Sequence, residues 1–361
     1  MRHHRGVHTG ERAERERPGQ PGTTPAPRGV GPGHGDGAGA GPRRRRVRRP
    51  WLTASAVLLL LVPVGPLVLR ALDADGPSPF PQLLAFLPWL LVPGWLALVC
   101  AIFARRVLLI VVAVVVLAGT GWFVQPYGPD APPGAEERPG KARFRVLTAN
   151  LEYGGATEGL LRALRRERPQ LVAVQECDHR CAKALRSAEM RAEYPHRVIA
   201  TGSRAEGSAL LSVFPLSDRS EVPGLLSMPG AVADVRGTAV RVQVAHPMPP
   251  ETDSLSTWRA ELGRLRDYAA ERGRTPTLIA GDFNASQDHA AFRALLDTGM
   301  RDAARQTGHS RTPTWPTLTA PPLGVQIDHV LLSDPMVPVD AQFVDLPNTD
   351  HRALLVDVKL F

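Results

Sequence analysis

Three long apolar stretches lie close together within the first 125 residues, at 51–72, 80–103 and 107–125. Each approaches the ~20 residues that an α-helix needs to cross about 30 Å of hydrocarbon. The prolines inside them would break helices in water but are tolerated in membranes. The sequence therefore predicts three transmembrane helices. The alternatives are one long signal peptide or a buried helical hairpin.

Arginines flank these stretches unevenly. Six of them lie within residues 43–49, directly before the first stretch, and Arg105 and Arg106 lie in the short turn between the second and third. The first loop, 73–79, has no Lys or Arg. Because positive residues stay on the cytoplasmic side, we expect the N-terminus and the Arg105–Arg106 turn in the cytoplasm. Everything after residue 125 is then predicted to lie outside it.

The net charge of +8 belongs to the N-terminal tail. Residues 1–50 contain 12 arginines and four acidic residues, whereas residues 141–361 contain 27 basic and 26 acidic residues. The tail is rich in Gly, Pro and Arg and poor in large apolar residues, so it is predicted to be disordered. Non-specific nucleic-acid binding depends on many cations, so no strong nucleic-acid binding is expected of the near-neutral C-terminal part.

A Pro-rich linker, 126–142, leads into one domain of ordinary size, 143–361. Strand and helix patterns alternate there, and a βαβ opening followed by hairpin-like strands favours a mixed sheet structure over a doubly wound fold. The predicted strands are 144–150, 171–175, 209–214, 231–235, 239–245, 278–280, 326–332 and 353–360, and the predicted helices are 157–166 and 257–272.

Polar side chains adjoin these strands at six places. The places are Asn150, Gln175-Glu176, His246, Asp282 with Asn284, Asp328-His329 and Asp350-His351. A single acid after a strand is usually a cap or a turn former, but six such places at strand ends indicate a binding site.

In this order the blocks resemble the endonuclease/exonuclease/phosphatase superfamily, which includes DNase I-like nucleases, abasic-site endonucleases, inositol polyphosphate phosphatases and sphingomyelinases. The resemblance covers about residues 143–361. It rests on Asn150, Gln175-Glu176, His246, Gly281-Asp282-Phe283-Asn284, Ile327-Asp328-His329 and Thr349-Asp350-His351-Arg352. It implies an α/β fold, the DNase I-like four-layer αββα sandwich, here preceded by three transmembrane helices and a disordered basic tail.

The resemblance also implies a metal-dependent phosphoric ester hydrolase. Glu176 is the expected principal Mg²⁺ ligand, with Asn150 beside it and Asp350 in the metal region, and Mn²⁺ is the alternative ion. Oxygen ligands suit such hard cations, which bring an anionic phosphate to its nucleophile. The alternative for Glu176 is a strand-end cap.

The other polar residues of these blocks are the expected catalytic residues. By resemblance, Asp328 orients His351 as a dyad at the scissile phosphate, holding the imidazole in one tautomer. Asp282 is expected to activate or orient the attacking water, or to protonate the leaving group. Asn284 is expected to hydrogen-bond the phosphate, and His246 to stabilise charge on its oxygens. The alternative for His246 is a plain turn residue.

The sequence departs from many members of the family directly after His246, where Pro247-Met248-Pro249-Pro250 follows. This loop is expected to border the site, so the substrate cannot be transferred from the well-studied nucleases. Residues 143–361 also lack the interleaved basic and aromatic residues of a nucleic-acid groove.

Cys177 and Cys181 lie four residues apart, directly after Glu176. Outside the cytoplasm they could form a local disulfide, although a regular helix places side chains four apart awkwardly for the bond. Two unpaired thiols, or a zinc site with His179, are the alternatives. Cys100 falls in the second apolar stretch and is expected to be inert.

The leading hypothesis is a membrane-anchored, Mg²⁺-dependent phosphoesterase that hydrolyses a phosphate ester or pyrophosphate outside the cytoplasm, with an envelope lipid as substrate. The three-span organisation also resembles actinobacterial membrane proteins of this superfamily linked to teicoplanin and vancomycin resistance. Its partners would be the lipid bilayer and the phosphorylated substrate, concentrated by the tether. The alternatives are an extracytoplasmic nuclease acting on DNA or RNA and a non-catalytic receptor or scaffold. The oligomeric state stays open.

Overall fold

A long apolar helix begins the described part of the chain, and three further helical segments precede the first strand. The computed structural model describes residues 49–134, 139–320 and 322–361. The segments are α1 (Pro50–Ala71), α2 (Phe80–Ala85), a 3₁₀ turn (Leu87–Leu90), α3 (Leu91–Phe103) and α4 (Val107–Phe123). Helices α1, α3 and α4 pack around a small apolar core that includes Leu60, Ala97 and Val116.

Among the described helices, α1 alone is both long and apolar enough to cross a membrane. The apolar helices at 87–103 and 107–123 are shorter, so the three-span arrangement is not confirmed and stays a prediction. The second apolar stretch, predicted as one span over 80–103, is divided by the 3₁₀ turn. Pro88 explains the break, because it has no N–H for the carbonyl of Leu84 and disfavours helical geometry at Leu87.

The predicted disordered tail falls on residues 1–48, which lie outside the described residues. The described part of the linker runs along the C-terminal domain. The backbone N–H of Tyr127 donates to Gln287 Oε1 at 2.8 Å, and that of Ala131 donates to Gln306 Oε1 at 2.8 Å. Residues 127–131 are therefore attached to the domain surface.

The described part of the C-terminal domain contains twelve strands in two six-stranded sheets. The strands are β1 (Ala142–Asn150), β2 (Leu171–Gln175), β3 (His196–Ala200), β4 (Ser208–Ser212), β5 (Leu216–Glu221), β6 (Pro229–Val235), β7 (Thr238–Ala245), β8 (Thr277–Asp282), β9 (Arg301–Asp302), β10 (Asp328–Leu332), β11 (Met336–Asp345) and β12 (Arg352–Leu360). The first sheet has the order β11-β12-β1-β2-β4-β3 and the second the order β5-β6-β7-β8-β10-β9.

The two sheets pack face to face, and helices cover both outer faces. The helices are α5 (Thr157–Glu167), α6 (His179–Leu185), α7 (Ala188–Glu193), α8 (Leu255–Ala270), α9 (Ala290–Leu296) and α10 (Ala303–Gln306). Val146 and Val242 belong to the core between the sheets. Leu160 of α5 packs on the first sheet, and Trp258 of α8 packs on the second. The prediction of a mixed α/β sandwich is confirmed.

Each sheet contains one parallel pair joined by a helix. β1 and β2 are connected through α5, and β7 and β8 through α8. β12 runs antiparallel beside β1, and β10 runs antiparallel beside β8. The carboxyl ends of β1, β2, β7 and β8 and the first residues of β10 and β12 therefore meet at one edge of the sandwich.

Four strands are absent from the sequence prediction, and each lies at an edge of its sheet: β3, β5, β9 and β11. Edge strands need no continuous apolar face and tolerate polar residues and proline. β5 is exposed along most of its length. In β11, the pairing with β12 is irregular between Pro338 and Asp340.

Polar contacts attach the loop between α1 and α2 to the start of α9. The guanidinium of Arg293, which is 1 % exposed, donates from Nε to Asp73 Oδ1 at 3.1 Å and from Nη1 to the carbonyl of Asp288 at 2.6 Å. The carboxylate of Asp75 accepts the backbone N–H groups of residues 290 and 291 at 2.7 and 3.1 Å. The N-terminal helices and the domain are therefore parts of one compact unit, residues 48–361.

Candidate active site

All eight residues that the sequence predicts for the site gather at the shared edge of the two sheets. They are Asn150, Glu176, His246, Asp282, Asn284, Asp328, Asp350 and His351. Gly281 allows the close approach of β7 and β8 there, since a Cβ on it would lie 1.9 Å from the carbonyl oxygen of Ala245. The roles assigned to the eight residues stay predictions.

Asn150 links the two sheets. It is the last residue of β1, and its Nδ2 donates to Glu176 Oε1 at 3.2 Å and to Asp282 Oδ2 at 3.0 Å. Its Oδ1 accepts the backbone N–H of Glu152 at 3.0 Å. A buried amide between two carboxylates offsets part of their mutual repulsion, so Asn150 positions both.

Glu176 leaves β2 in a left-handed conformation, with φ of 53°. That backbone is uncommon for a residue with a side chain. It aims the carboxylate at the site, where Oε2 accepts the backbone N–H of Tyr153 at 2.9 Å. Non-glycine residues in such conformations cluster at functional sites.

His351 and Asp328 form the predicted dyad. His351 Nδ1 lies 2.9 Å from Asp328 Oδ2, and the other ring nitrogen, Nε2, lies 3.9 Å from Asp282 Oδ2. Burial alone would lower the pKa of His351, but the carboxylates of Asp328 and Asp282 outweigh it, and the pKa is raised. The imidazole is therefore held as a cation with Nε2 turned toward Asp282.

Asp282 ends β8 and is buried. Burial raises the pKa of Asp282, and Asp328 raises it further, against the opposing effects of His351 and of hydrogen bonds from Asn284 and Asn150. A carboxyl group whose pKa is moved toward neutrality can accept and return a proton. This fits the predicted role of Asp282 at the attacking water or the leaving group.

His246 and Asn284 come together through the loop that follows β7. Asn284 Nδ2 donates to the carbonyl of Pro247 at 3.0 Å, and the backbone N–H of Asn284 donates to Asp282 Oδ1 at 2.8 Å. Burial, and then the charge of His351, lower the pKa of His246 to about 3. The imidazole of His246 is therefore neutral here, and its Nε2 lies 4.0 Å from Glu176 Oε1.

Asp350 lies at the rim of the site and is held by an aromatic residue that the predicted site omitted. The indole Nε1 of Trp315 donates to Asp350 Oδ2 at 2.8 Å, and Asp350 Oδ1 lies 3.8 Å from His351 Nε2. Thr349 also supports the site, since its hydroxyl donates to the carbonyl of Asn150 at 2.9 Å. Thr349 is adjacent to Asp350 in the sequence, which could have indicated it, whereas Trp315 lies 35 residues before Asp350.

Cys177 and Cys181 are joined by a disulfide, which resolves the alternatives left open by the sequence. The bond forms because Cys177 precedes α6 rather than belonging to it, which brings the two Cα atoms to 5.2 Å. The side chain of Asp178 caps the helix by accepting the backbone N–H of Cys181 at 2.9 Å. The segment directly after Glu176 is thereby fixed.

His329 lies on β10 next to Asp328 but faces away from the site. Its ring nitrogens lie 2.7 Å from Asp302 Oδ2 and 3.0 Å from the carbonyl of Ala285. Burial opposes the charge, yet Asp302 and the Ala285 carbonyl leave the pKa of His329 raised. His329 supports the loop after Asp282.

A cavity of about 560 Å³ opens onto these residues. Its polar lining includes Glu176, His246, Asp282, Asn284, Asp350 and His351. The loop after His246 borders it as expected, through Met248, Pro249 and Pro250. Helix α2 of the N-terminal segment forms part of the wall, which the sequence did not indicate.

The donor set suits a hard divalent cation. Ligand atoms of Asp282 and Asp328, with a ring nitrogen of His351, lie within 4.8 Å of one another. Because the protonated ring of His351 cannot ligate a cation, the two carboxylates are the donors of this group. Asp328 Oδ1 is buried without a hydrogen-bond partner among the described residues. Buried carboxylate oxygens without donors are expensive unless a cation or a proton reaches them, so the residues fit a metal ion.

Comparison with known proteins identifies the family of this chain. The sequence profile of the endonuclease/exonuclease/phosphatase family matches residues 147–351, which spans every block of the site. The chain belongs to this family. With the family comes the enzyme class, a metal-dependent phosphoric ester hydrolase, and that prediction is confirmed. No curated protein matches the chain.

Solved structures agree on the fold. The structure of D. rerio TDP2 complexed with single strand DNA product has a TM-score of 0.52 at 15% identity, covering 60% of this chain and 99% of that one. Humanized D. rerio TDP2 carrying 14 mutations has a TM-score of 0.50 at 13% identity, covering 60% and 98%. Both show that residues outside the N-terminal segment adopt the family's two-sheet sandwich.

The dyad generates a quantitative prediction. His351→Ala and Asp328→Asn should each lower kcat for bis(4-nitrophenyl) phosphate or 4-nitrophenyl phosphate by about 10²–10⁴-fold. The first variant removes the imidazole, and the second removes the carboxylate that orients it. The double variant should cost no more than about the larger single effect, because residues acting as a unit are not additive. The measurement is steady-state hydrolysis by the full-length protein in detergent.

The exposed His309→Ala is the matched control and should keep full activity. Independent, multiplicative losses from His351→Ala and Asp328→Asn would contradict the dyad.

Proposed function

We propose that the protein is a membrane-anchored phosphoesterase that uses Mg²⁺, or Mn²⁺, to hydrolyse a phosphate ester or pyrophosphate of an envelope lipid outside the cytoplasm. The observation that carries the phosphoesterase chemistry is the His351–Asp328 dyad, whose free Nε2 lies 3.9 Å from Asp282 Oδ2. A cationic donor and a carboxylate of raised pKa thus face the same space in the cavity.

The chain's own residues divide the work of hydrolysis. The His351 imidazolium, oriented by Asp328, faces the oxygens of the phosphoryl group and offsets the charge that develops on them. Asp282 takes a proton from the water whose oxygen bonds to phosphorus. The bond from phosphorus to the leaving oxygen breaks, and that oxygen receives the proton that Asp282 took up, so that Asp282 is again a carboxylate. Water and ester thus give an alcohol and a phosphate.

Glu176 and Asn150, with the acidic group of Asp282 and Asp328 beside them, are the residues that would hold the cation. When bound, a divalent cation supplies the positive charge that an anionic phosphate needs in order to enter an acidic site. Carboxylate and amide oxygens suit this role.

The N-terminal helices support the membrane anchor. Large apolar side chains stand exposed along them, with Leu58 at 64%, Leu108 at 75% and Trp122 at 75%. Soluble proteins rarely expose contiguous apolar surface on this scale. α1 is long enough to cross by itself, and the 17 residues of α4 lie at the lower end of the range of about 17–25 residues. Three spans remain our proposal.

The arrangement of charges supports the orientation. Arg106 Nε donates to Thr53 Oγ1 at 3.4 Å, which puts the Arg105–Arg106 turn beside the start of α1. The opposite end of α1 leads to Asp73, which contacts the domain through Arg293. Positive residues at one end and the domain at the other fit a cytoplasmic turn and an external active site.

A nuclease is the second candidate, because D. rerio TDP2 with the same fold was solved with a single-stranded DNA product. Against it stands the charge of the cavity, whose lining contains acids and no Lys or Arg within the described residues. A groove that follows a nucleic-acid backbone is positively charged. We therefore favour a small or lipid-linked phosphate.

The test is a substrate panel on the full-length protein in detergent, with Mg²⁺ and with excess EDTA. The panel holds dodecyl phosphate, dodecyl diphosphate, 4-nitrophenyl phosphate, and single- and double-stranded DNA. We expect EDTA-sensitive release of phosphate from at least one dodecyl substrate, faster than any cleavage of DNA and abolished by His351→Ala. DNA cleavage as the fastest reaction would establish the nuclease instead, and no reaction at all would favour a non-catalytic domain.

The orientation has its own test. A reporter that is active only outside the cytoplasm, fused after Phe361, should be active in cells, because the proposed topology puts residues after 125 outside the cytoplasm. A reporter that requires the cytoplasm should be inactive at the same position. The reverse pattern would contradict the proposed topology.

A further inference from the structure

Helix α2 forms a wall of the catalytic cavity although it belongs to the apolar N-terminal segment. Gln82, Ala85 and Phe86 line the cavity. Residues spaced three and four apart share one face of a helical turn. On the other side of this segment, Leu84 and Leu87 are fully buried. The segment is therefore packed on one side and presents a mixed, largely apolar side to the active site.

Hydrogen bonds from the domain hold this wall in place. A ring nitrogen of His289 lies 2.8 Å from the carbonyl oxygen of Pro81, at the start of α2. Gln82 Nε2 donates to the carbonyl of Pro250, in the loop after His246. The wall thus bridges from the start of α9 to the loop that borders the site, and its position relative to the catalytic residues is set by the folded domain.

The cavity lining combines two chemical kinds of side chain. Carboxylates and imidazoles of the site belong to it, and so do several apolar residues: Ala85, Phe86, Leu226, Met248, Pro249, Pro250, Val325 and Ile327. Polar groups that fix a reacting centre beside an apolar surface are typical of a pocket that binds an amphipathic small molecule. A phosphate joined to a hydrocarbon has this pair of properties.

An exposed apolar helix follows the wall in the chain. After Phe86 the chain passes through the 3₁₀ turn into α3, where Trp95 and Leu96 are 58% and 51% exposed. In the proposed membrane-anchored arrangement these side chains are buried in lipid, which is favourable for apolar surface, and the wall is the neighbouring segment of the chain.

We propose that the face formed by Gln82, Ala85 and Phe86 is the specificity-determining wall of the active site, and that it binds the hydrocarbon next to the scissile phosphate of a lipid phosphate drawn from the membrane. This rests on the proposed phosphoester hydrolysis. Gln82 adds one polar feature, since its Oε1 is buried and has no hydrogen-bond partner among the described residues. It offers an acceptor to an O–H or N–H near the head of the lipid.

The test compares two chain lengths on one phosphate group. The substrates are the dodecyl and ethyl forms of whichever group, phosphate or diphosphate, the panel above shows to be hydrolysed, with the full-length protein at fixed detergent concentration. The wild type should show at least about tenfold higher kcat/KM for the dodecyl form, since one apolar contact in a pocket changes kcat/KM by about 10–200-fold. Phe86→Ala should remove most of this preference, because KM for the dodecyl form should rise much more than KM for the ethyl form.

Two further variants separate binding from folding. Ala85→Phe adds a bulky side chain to the wall and should lower kcat/KM for the dodecyl form more than for the ethyl form. Phe103→Ala removes an aromatic residue that is 63% exposed at the far end of α3, and it should change neither. Measurable hydrolysis of the ethyl form shows that each variant is folded.

The outcomes are distinguishable from failure of the proposed function. Hydrolysis of both forms without a chain-length preference, or equal losses on both forms in Phe86→Ala and Ala85→Phe, would overturn the wall and leave the phosphoesterase standing. Failure to hydrolyse either dodecyl substrate in the panel would overturn the proposed function, and the wall with it.

Discussion

The active site depends on a shortage of positive charge at the edge where the two sheets meet. Asp282 and Asp328 are buried there, and Glu176 and Asp350 lie close by, while His351 is the one imidazole hydrogen-bonded to these carboxylates in the described residues. Carboxylates gathered in one buried site repel each other strongly, because the dielectric constant there is low. Asn150 offsets part of this repulsion with its two contacts to Glu176 and Asp282. An anionic phosphate can join such a cluster only with a cation, so the metal dependence of the family follows from the charges themselves.

The same charges explain why the site could be predicted from sequence. The short blocks of carboxylate and imidazole residues at strand ends follow one another in a characteristic order along the chain. Each block can be recognised from a few consecutive residues. The parallel pairs, β1 with β2 and β7 with β8, bring those ends to one edge. What escaped prediction has no such local signal. The edge strands β3, β5, β9 and β11 carry little apolar periodicity, and Trp315 meets Asp350 only through the fold.

Helix α2 shows the limit of sequence reasoning most clearly. Its residues read as part of an apolar stretch, and nothing in residues 80–86 indicates that they would contact a domain that begins some 60 residues later. The contacts that bring them there are long-range and polar: Asp73 with Arg293, Asp75 with the start of α9, and Pro81 with His289. Such pairs are separated by about 200 residues, and each partner alone resembles an ordinary surface residue.

These contacts attach the N-terminal segment to the C-terminal domain. A flexible tether would only concentrate the enzyme near the bilayer. Here the N-terminal segment contributes side chains to the cavity and is attached beside it, so the domain is held in a fixed position relative to α1, α3 and α4. The Pro-rich linker also helps to hold the domain in this position, because its described residues 127–131 bind the domain surface.

The central claim is that the buried acidic cluster is a cation site with Glu176 as the main ligand. The most direct measurement is binding of Mn²⁺, observed by electron paramagnetic resonance, to the full-length protein in detergent without substrate. The wild type should bind Mn²⁺, with Mg²⁺ competing, and Glu176→Gln should weaken binding by at least about tenfold. The exposed Glu193→Gln should match the wild type. Absence of binding in the wild type, or equal affinity in Glu176→Gln, would contradict the account.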